Sequence, residues 1–309
     1  MKNKILICES RSCDPYYNLA LEEYLTRNVK GGHRILFLWR NAGTVVIGKN
    51  QNIYAECNIN RINADGVRMA RRLSGGGAVF HDTGNICFSF ISEDSLYDVA
   101  LHCEVIRRAC AAFGIDACVT GRNDITAGGR KFSGNAFYSI GENRCHHGTV
   151  MISADTERLQ NYLSTPKSKL VAKGIRSVRS AVVNLGELCD TLTPERFFAA
   201  MKNAMSEVFD AESNVIVPPD ALLFEDRRAF FASDAWIYGE NPPFSCELDV
   251  KTEGGRFNVK LSVKNNVTEA CTIYTDSLDT TVAERIEKAL VGKPFSEENV
   301  RKAVEETLQ

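Results

Sequence analysis

The segment from Arg71 to Asp82 limits what this chain can fold into more than any other part of the sequence. It places three glycines, residues 75–77, directly before the apolar run Ala78-Val79-Phe80. Glycines permit backbone conformations and close approaches that other residues disfavour, so we expect a turn that enters a strand and presents backbone N–H groups to a ligand. Arg72 adds a planar cationic fork. The segment therefore predicts a site for phosphate or carboxylate groups.

Two common nucleotide-binding motifs are excluded by the residues around this glycine run. A P-loop requires Lys-Ser or Lys-Thr at a fixed spacing after its glycines, and a dinucleotide fingerprint places glycines between a strand and a helix. Neither pattern accompanies residues 75–77. Any nucleotide must therefore be bound in a different manner.

A second polar segment runs from Gly121 to Asn135. It contains Asn123-Asp124 and, after a pair of glycines at 128–129, Lys131. The glycine turn predicts two adjacent strands, one of which presents Lys131. A lysine in that position can neutralise an anionic reacting centre. Taken alone, Lys131 also fits a solvated surface residue, and Asp124 fits a turn residue that caps its own backbone.

The rest of the pattern predicts an α+β fold. Asp14-Pro15 has the composition of a helix start and precedes an amphipathic helix. Ile35 to Trp39 and Thr44 to Ile47 are β-rich runs separated by turn residues, so we expect them to pair. Ala78 to Phe80 and Ile86 to Ile91 flank a second tight turn and predict another antiparallel pair. Strands grouped in pairs, with helices unevenly distributed, favour α+β over an alternating parallel sheet.

Pro242-Pro243 predicts a domain boundary. Beyond it, Phe257 to Val263 and Val267 to Tyr274 predict a hairpin that precedes two short helices. We therefore expect a large catalytic domain with a mixed or antiparallel sheet at 1–241. A small α+β accessory domain is expected at 246–309.

Composition excludes several functional classes. The net charge of −2 provides no general attraction to nucleic acid, and no apolar run is long enough to span a bilayer. The apolar stretch Ile5 to Cys8 is too short for a secretory signal. Eleven cysteines without a CxxC pair do not describe a disulfide framework, so we interpret them as reduced, mostly core thiols. These features predict a cytoplasmic protein that binds neither nucleic acid nor membrane.

Three smaller features have ordinary structural explanations. Cys118 and Cys145 are interpreted as inert core thiols. His146-His147 does not predict a metal site, because adjacent residues on a strand point to opposite faces. A cluster of basic residues could dock an acidic partner, guide an anionic ligand or form a solvated face. Its members are Lys167, Lys169, Lys173, Arg176 and Arg179.

With these motifs in place, the chain resembles the lipoate-protein ligases of the fused, two-domain type. The further ordered matches are Phe37-Leu38-Trp39-Arg40-Asn41, Val46-Ile47-Gly48, His146-His147-Gly148-Thr149, Lys173-Gly174-Ile175, Ser177-Val178-Arg179-Ser180 and Thr275-Asp276-Ser277-Leu278. They extend over nearly the whole chain. The resemblance implies a catalytic domain of the biotin/lipoate ligase type. Biotin ligases themselves carry a Gly-Arg-Gly-Arg loop where this chain has Arg71 to Gly77.

The resemblance also implies an activity and a set of partners. The enzyme would use ATP to activate lipoate, or octanoate, as an acyl-adenylate. It would then transfer the acyl group to a lysine of a lipoyl-domain acceptor, either an E2 subunit of a 2-oxoacid dehydrogenase or the glycine cleavage H protein. The two alternatives are an octanoyl or lipoyl transferase that uses a preformed acyl donor, and a non-catalytic lipoate-binding protein. Arg72 and Lys131 with an intact glycine loop favour the ligase.

Specific residues follow from the same resemblance. Lys131 and Arg72 are implied to be catalytic, and Mg²⁺ is implied with Asp124 as a ligand. The implied ATP-binding and adenylate-binding residues are Arg72, Gly77, Ala78, Val79, Phe80, Asn85, Asp124 and Lys131. The implied lipoate-binding residues are Trp39, Ser74, Gly75, Gly76, His81 and Lys131.

Overall fold

The computed structural model describes residues 4–120, 124–163, 171–172, 181–241, 244–253, 255–275 and 281–308. The strands are β1 (Lys4–Glu9), β2 (His33–Arg40), β3 (Thr44–Ile47), β4 (Arg68–Arg71), β5 (Val79–His81), β6 (Asn85–Glu93), β7 (Ala117–Thr120), β8 (Asp124–Ala127), β9 (Arg130–Ile140), β10 (Asn143–Met151), β11 (Val171–Ala172), β12 (Ser213–Ile216), β13 (Phe244–Thr252), β14 (Gly255–Lys264) and β15 (Val267–Thr275). The helices are α1 (Pro15–Asn28), α2 (Ile53–Glu56), α3 (Ile59–Ala64), α4 (Val99–Ala111), α5 (Thr156–Tyr162), α6 (Pro194–Val208), α7 (Glu225–Ala232), α8 (Asp234–Ile237), α9 (Val282–Leu290) and α10 (Glu297–Thr307).

Several features singled out in the sequence lie outside the described residues. They are Asn123 with its neighbours 121–122, the basic cluster at 167–179, the matches at 173–180 and 276–278, and Pro242-Pro243.

A large mixed sheet forms the centre of the described structure. Its strand order is β12-β1-β2-β6-β10-β9-β8-β7. The first three strands run parallel, and every pairing from β2 to β7 is antiparallel. The predicted α+β class with a mixed sheet is therefore confirmed.

Both faces of the large sheet are covered. One face packs against α4 and α6 through a cluster that includes Phe88, Phe132 and Phe197. The other face packs against α1 through a cluster that includes Leu19 and Phe37. This burial explains why the central strands read as nearly continuous apolar runs.

Helix α1 begins where the sequence predicts. Asp14 is its N-cap, the Asp14 carboxylate accepts a hydrogen bond from the backbone N–H of Tyr16, and Pro15 occupies the first turn. Most of α1 is buried, including the carboxylate-bearing Glu22 and Glu23. A buried acidic residue on this helix becomes important in the site described below.

Two predicted strand pairings are wrong. Strand β2 pairs with β1 and β6 in the large sheet, whereas β3 pairs with β4 and β5 in a separate three-stranded sheet. Likewise, β5 and β6 do not form a hairpin, because β5 pairs with β3. Turn composition locates where a strand ends, but it does not determine whether the chain folds back or crosses to another sheet. Here the crossings place β3, β4 and β5 in a sheet of their own beside the larger one.

The C-terminal unit contains β13, β14 and β15 of a four-stranded antiparallel sheet with the order β11-β13-β14-β15, and it is backed by α9 and α10. Strand β11 joins this sheet from the preceding part of the chain. The predicted hairpin and helices are confirmed. Its apolar cluster is continuous with that of the three-stranded sheet and α2. The hydroxyl oxygen of Tyr54 in α2 lies 2.6 Å from Asn266 Oδ1 and 3.0 Å from the carbonyl oxygen of Phe295, so its proton is shared between these two acceptors. The two units are therefore packed together through a shared core, while a division at 1–241 and 246–309 stays a prediction.

Arg71 is fully buried and forms hydrogen bonds with segments that are far apart in the sequence. Its guanidinium donates to the carbonyl oxygens of Gly48 and Gln51 on one side, and to those of Trp236 and Ile237 on the other. It also donates to Asn241 Oδ1 at 2.7 Å. Burial lowers the pKa of this guanidinium to about 10, so it stays charged at neutral pH.

We expect Arg71→Lys to lower the free energy of unfolding by about 3 kcal/mol, because an ammonium group cannot span both sets of carbonyls. Arg61→Lys is the matched control, since Arg61 is exposed and forms a surface pair with Asp65. Its expected change is at most about 0.5 kcal/mol. Urea denaturation of both variants tests this, and equal changes would contradict the structural role assigned to Arg71.

Candidate active site

The glycine segment forms the loop between β4 and β5. Gly76 has a φ of +90°, which a residue with a side chain rarely adopts. The loop lies against the segment that follows β3, where a Cβ atom on Gly48 would stand 2.3 Å from the carbonyl oxygen of Gly76. Lys49 N–H also donates to the carbonyl of Ser74 at 2.8 Å. Glycine at 48 and 76 is therefore required by the loop itself.

Arg72 lies beneath this loop and bonds to its backbone. Its Nη2 donates to the carbonyl oxygens of Gly75 and Gly77, both at 2.7 Å, and its Nε donates to Ser74 Oγ at 3.0 Å. Burial lowers its pKa to about 10, partly offset by the charge of Glu22, so it remains cationic at neutral pH. Arg72 thus holds the loop in place. The cationic fork expected from the sequence is fixed by these contacts with the loop backbone.

The contacts of Arg72 orient the peptide groups of the loop. In a trans peptide the C=O and N–H groups point in opposite directions. Because the carbonyls of Gly75 and Gly77 face the guanidinium, the N–H groups of Gly76 and Ala78 are turned away from it. The Gly76 N–H group, held in this way, is oriented to meet an anion.

Lys131 and Asp124 are brought together, as the sequence predicts for adjacent strands. Lys131 Nζ lies 2.8 Å from Asp124 Oδ1, and the two side chains are 29% and 34% exposed. The backbone of Lys131 also pairs with the segment that follows residue 180, through bonds to Ala181 and Val183. Backbone hydrogen bonds therefore fix the position of Lys131, and its ammonium group forms an ion pair with Asp124.

A β-bulge decides which way Lys131 points. The register of β8 against β9 shifts between Ile125 and Thr126, so that one extra residue of β9, Phe132, is accommodated. Lys131 and Gly134 would otherwise face opposite sides of the sheet. With the bulge, a Cβ atom on Gly134 would stand 3.3 Å from Lys131 Nζ. Glycine at 134 therefore leaves room for the lysine side chain.

The glycine loop lies over the same face of β9. A Cβ atom on Gly76 would stand 3.8 Å from the Cβ of Ala136, which is two residues from Gly134 and so faces the same side. Next along this face, His147 of β10 is paired in register with Ala136. Two motifs that are far apart in sequence, the glycine loop and Lys131, thus border one cleft.

The inner part of the cleft holds a hydrogen-bond relay that the sequence did not reveal. His147 Nε2 lies 2.6 Å from Ser74 Oγ, and His147 Nδ1 lies 2.9 and 3.0 Å from the two carboxylate oxygens of Glu22. Ser89 and Tyr138 also donate to the Glu22 carboxylate. Glu22 is only 2% exposed. We call Ser74, His147 and Glu22 the relay.

Trp39 and His81 complete the inner wall. Trp39 Nε1 donates to Ser89 Oγ at 3.1 Å, and the Trp39 ring meets the His81 ring edge-on. Asn41 Nδ2 donates to His81 Nδ1 at 3.1 Å, so the His81 proton is on Nε2. Burial, reinforced by the charges of Arg72 and His147, lowers the pKa of His81 to about 3. His81 is therefore neutral at physiological pH.

Comparison with known proteins identifies the family. A family model described as the lipoyl protein ligase A/B catalytic domain matches residues 14–206, and one described as the bacterial lipoate protein ligase C-terminus matches residues 241–308. The chain belongs to the lipoate-protein ligase family.

Solved structures agree with this membership. LipL1 of P. falciparum, in complex with lipoate, is 28% identical with a TM-score of 0.69, and the match covers 97% of this chain and 93% of that chain. A bipartite lipoate protein ligase of T. acidophilum, studied with its E2 lipoyl domain, is 21% identical, with a TM-score of 0.65 and coverages of 78% and 97%. A lipoate-protein ligase A bound with ATP is 22% identical, with a TM-score of 0.65 and coverages of 78% and 100%. The last two likenesses show the fold alone.

The cysteines of this lipoate-ligase-family chain are unpaired. All eleven are in described residues and free, and most are buried, as expected. The expectation that Cys118 is a core thiol is wrong, because it is exposed on β7. Cys145 is buried, and burial raises its pKa well above the usual value of 9.0. A thiol with a raised pKa is a poor nucleophile at neutral pH.

Adjacent histidines on β10 point to opposite faces of the sheet, as the sequence analysis expected. His146 Nε2 lies 2.9 Å from Asn135 Oδ1, and its Nδ1 lies 3.3 Å from His102 Nδ1, on the α4 side. On the cleft side, Cys145 comes close to His147 and Glu22. We interpret this group as part of the relay and not as metal ligands, because both nitrogens of His147 are already hydrogen-bonded.

Some predicted site residues contribute little to the cleft through their side chains. The ring of Phe80 packs against Tyr162, with centroids 5.1 Å apart, in the cluster shared with the C-terminal unit. Asn85 is buried at the start of β6, where its Nδ2 lies 3.9 Å from Cys87 Sγ. The side chain of Phe80 is therefore part of the core and does not line the cleft.

The two central glycines of the loop provide a direct test. We expect Gly76→Ala to lower the free energy of unfolding by about 1–2 kcal/mol, because of its positive φ and because the new Cβ would stand 2.8 Å from Arg72 Nη2. Gly75→Ala should change it by at most about 0.5 kcal/mol, since nothing lies within 4 Å of a Cβ there. Chemical denaturation compares the two, and a destabilised Gly75→Ala variant would show that the loop is placed differently.

Proposed function

We propose that this chain is an ATP-dependent lipoate-protein ligase. In the first half-reaction, the carboxylate of lipoate attacks the α-phosphate of ATP to form lipoyl-AMP and diphosphate. In the second, the amine of an acceptor lysine attacks the acyl carbon and AMP leaves. The observation that carries this proposal is that the glycine loop and Lys131 border one cleft over the same face of β9. The carboxylate of lipoate and the α-phosphate of ATP are both anionic. A site that brings them together must therefore supply hydrogen-bond donors and positive charge at one place.

The cleft floor suits an extended acyl acid. From Gly134 to Tyr138 the strand covers about 13 Å, and the residues facing the cleft at its outer end are small. We propose that the carboxylate lies near Lys131, Ser74 and the loop glycines 75 and 76. The rest of the chain would extend toward Trp39 and His81.

The nucleotide would lie on the loop side of the cleft. The stretch 77–80 offers backbone donors and acceptors, and Asp124 with Asn85 would line the nucleotide end. Asp124 also fits a magnesium ligand, because Mg²⁺ is usually held by one or two carboxylates together with substrate phosphates and Asp124 is partly exposed. The ion supplies neutralisation of phosphate charge when bound.

Lys131 has the central chemical role in this proposal. Its ammonium, paired with Asp124 in the described structure, would turn toward the converging carboxylate and phosphate and stabilise their charge in the transition state. Arg72 would act by holding the loop peptides, with its charge adding to the field. No nucleophilic side chain is needed, because the mixed anhydride is already activated.

Lipoyl domains of E2 subunits, or the glycine cleavage H protein, are the proposed acceptors. The T. acidophilum ligase studied with its E2 lipoyl domain supports this choice of partner. The free thiols support a reducing compartment such as the cytoplasm. No helix among the described residues is both long and apolar enough to cross a membrane.

Release of diphosphate tests the function. We expect the protein, given ATP, Mg²⁺ and lipoate but no acceptor, to release diphosphate and form lipoyl-AMP, and to release none when lipoate is omitted. Acyl transfer from a preformed thioester without ATP would instead identify a transferase. Binding of lipoate with neither reaction would identify a binding protein.

Replacement of Lys131 tests its role. We expect Lys131→Ala to slow diphosphate release by about 100-fold or more, because its charge matters most as the two anions converge. Arg130→Ala is the matched control: it removes the neighbouring cation, which is exposed and pairs with Glu187, and should keep the normal rate. Near-normal diphosphate release by a folded Lys131→Ala variant would exclude Lys131 as the catalytic cation.

A further inference from the structure

The side chain of Lys131 runs back across the strand pair to reach Asp124. Asp124 of β8 is in register with Gly134 of β9, not with Lys131 itself. The lysine therefore passes over Gly134, where a Cβ atom would stand 3.3 Å from both Cε and Nζ of Lys131. Its Nζ then lies 2.8 Å from Asp124 Oδ1. The bulge and the glycine thus direct the ammonium group to this carboxylate, although the proposed reaction needs it at the substrates.

This ion pair can be exchanged for another one. The two side chains are 29% and 34% exposed, and an ion pair with that exposure is weak because water stabilises the separated charges nearly as well. The ammonium group sits on a flexible stem with several rotatable bonds. The backbone of Lys131, in contrast, is held by hydrogen bonds to Ala181 and Val183. Another anion can therefore draw the ammonium group away while the strand stays in place.

An acyl carboxylate placed beside Lys131 has to compete with Asp124. If it displaces Asp124, the existing ion pair is lost as the new one forms. If both carboxylates share the ammonium group, they stand close together and repel each other. Among the described residues, neither Lys131 nor Asp124 has a second ion-pair partner that would relieve this competition. In the absence of nucleotide, the acyl acid therefore gains less from Lys131 than it would from an unpaired ammonium group.

Nucleotide binding gives Asp124 a different partner. In the proposed function, Asp124 lines the nucleotide end and suits the divalent cation that accompanies ATP, because it is a partly exposed carboxylate. A bound divalent cation is the largest charge in such a site, so a carboxylate that contacts it is less available to an ammonium group. Lys131 is then released toward the acyl carboxylate and the α-phosphate.

We propose that Asp124 competes with the acyl acid for Lys131 and that nucleotide binding ends this competition, so that the two substrates bind cooperatively. The inference rests on the proposed function, since it takes lipoate and ATP as the ligands. Asp124 acts here through Lys131 and is a positioning residue. Coupling between two ligands is reciprocal, so each raises the affinity for the other by the same factor. A weak, partly exposed ion pair sets that factor at roughly fivefold.

Isothermal titration calorimetry of lipoate binding to the full chain tests the competition. One arm contains no nucleotide, and the other contains Mg²⁺ with α,β-methylene ATP, which cannot release diphosphate and so forms no adenylate. We expect the analogue to strengthen lipoate binding by the wild-type protein roughly fivefold. Without nucleotide, Asp124→Asn should bind lipoate roughly fivefold more tightly than the wild-type protein, and the analogue should add no further gain. If Asp124 served only to orient Lys131, the variant would bind lipoate more weakly.

The matched control is Glu187→Gln. It makes the same change of charge at the partner of Arg130, the residue next to Lys131, and should leave lipoate affinity unchanged in both arms. Thermal unfolding confirms that each variant is folded, and the comparison of the two wild-type arms needs no variant. Weaker or unchanged binding by Asp124→Asn without nucleotide, an equal gain in Glu187→Gln, or no effect of the analogue on the wild-type protein would overturn the competition and leave the ligase proposal intact. Absence of any lipoate binding by the folded wild-type protein in either arm would overturn both.

Discussion

Two buried guanidinium groups hold the glycine loop, and the rest of the site depends on them. Arg71 joins the segment after β3 to α8 and to Asn241, and Arg72 binds the loop carbonyls directly. A buried charge is tolerated only when many acceptors compensate it, so neither arginine can be moved without loss of several hydrogen bonds at once. The loop is thereby kept in a backbone conformation that the glycines permit but do not themselves enforce. Its peptide groups are oriented before any ligand arrives.

The cleft exists because the chain crosses between two sheets. Strand β3 leaves the large sheet and pairs with β4 and β5, which sets the glycine loop over the outer strands of the larger sheet. On those strands, small residues keep the floor open, and a bulge turns Lys131 to the same side. Each of these features is a local deviation from regular structure. Such deviations are common where a fold carries a binding site, because they aim side chains that regular strands would point elsewhere.

Charge balance links the two ends of this cleft. Lys131 and Asp124 form a partly exposed pair at the mouth, and farther in the charge of the buried Glu22 favours the charged form of Arg72. In the proposed reaction, an anionic substrate would disturb the outer pair, and Lys131 would leave Asp124 to meet it. The inner charges would stay in place, because Arg72 is held by the carbonyl groups of the loop.

Local sequence determined most of the helices and strands, because capping residues and apolar periodicity act over a few residues. Asp14-Pro15 marked the start of α1, and the chain-wide order of motifs was sufficient to recognise the family and to single out Arg72, Asp124 and Lys131. Strand pairing was not predictable, since turn composition does not say which sheet a strand joins. The relay was also hidden: Glu22 looks like an ordinary helical residue, and only packing of α1 on the large sheet brings it to His147. Sequence by itself therefore determined the local elements and the chemical groups available, whereas the tertiary structure decided which of those groups meet, because contacts between distant segments depend on how whole sheets and helices pack.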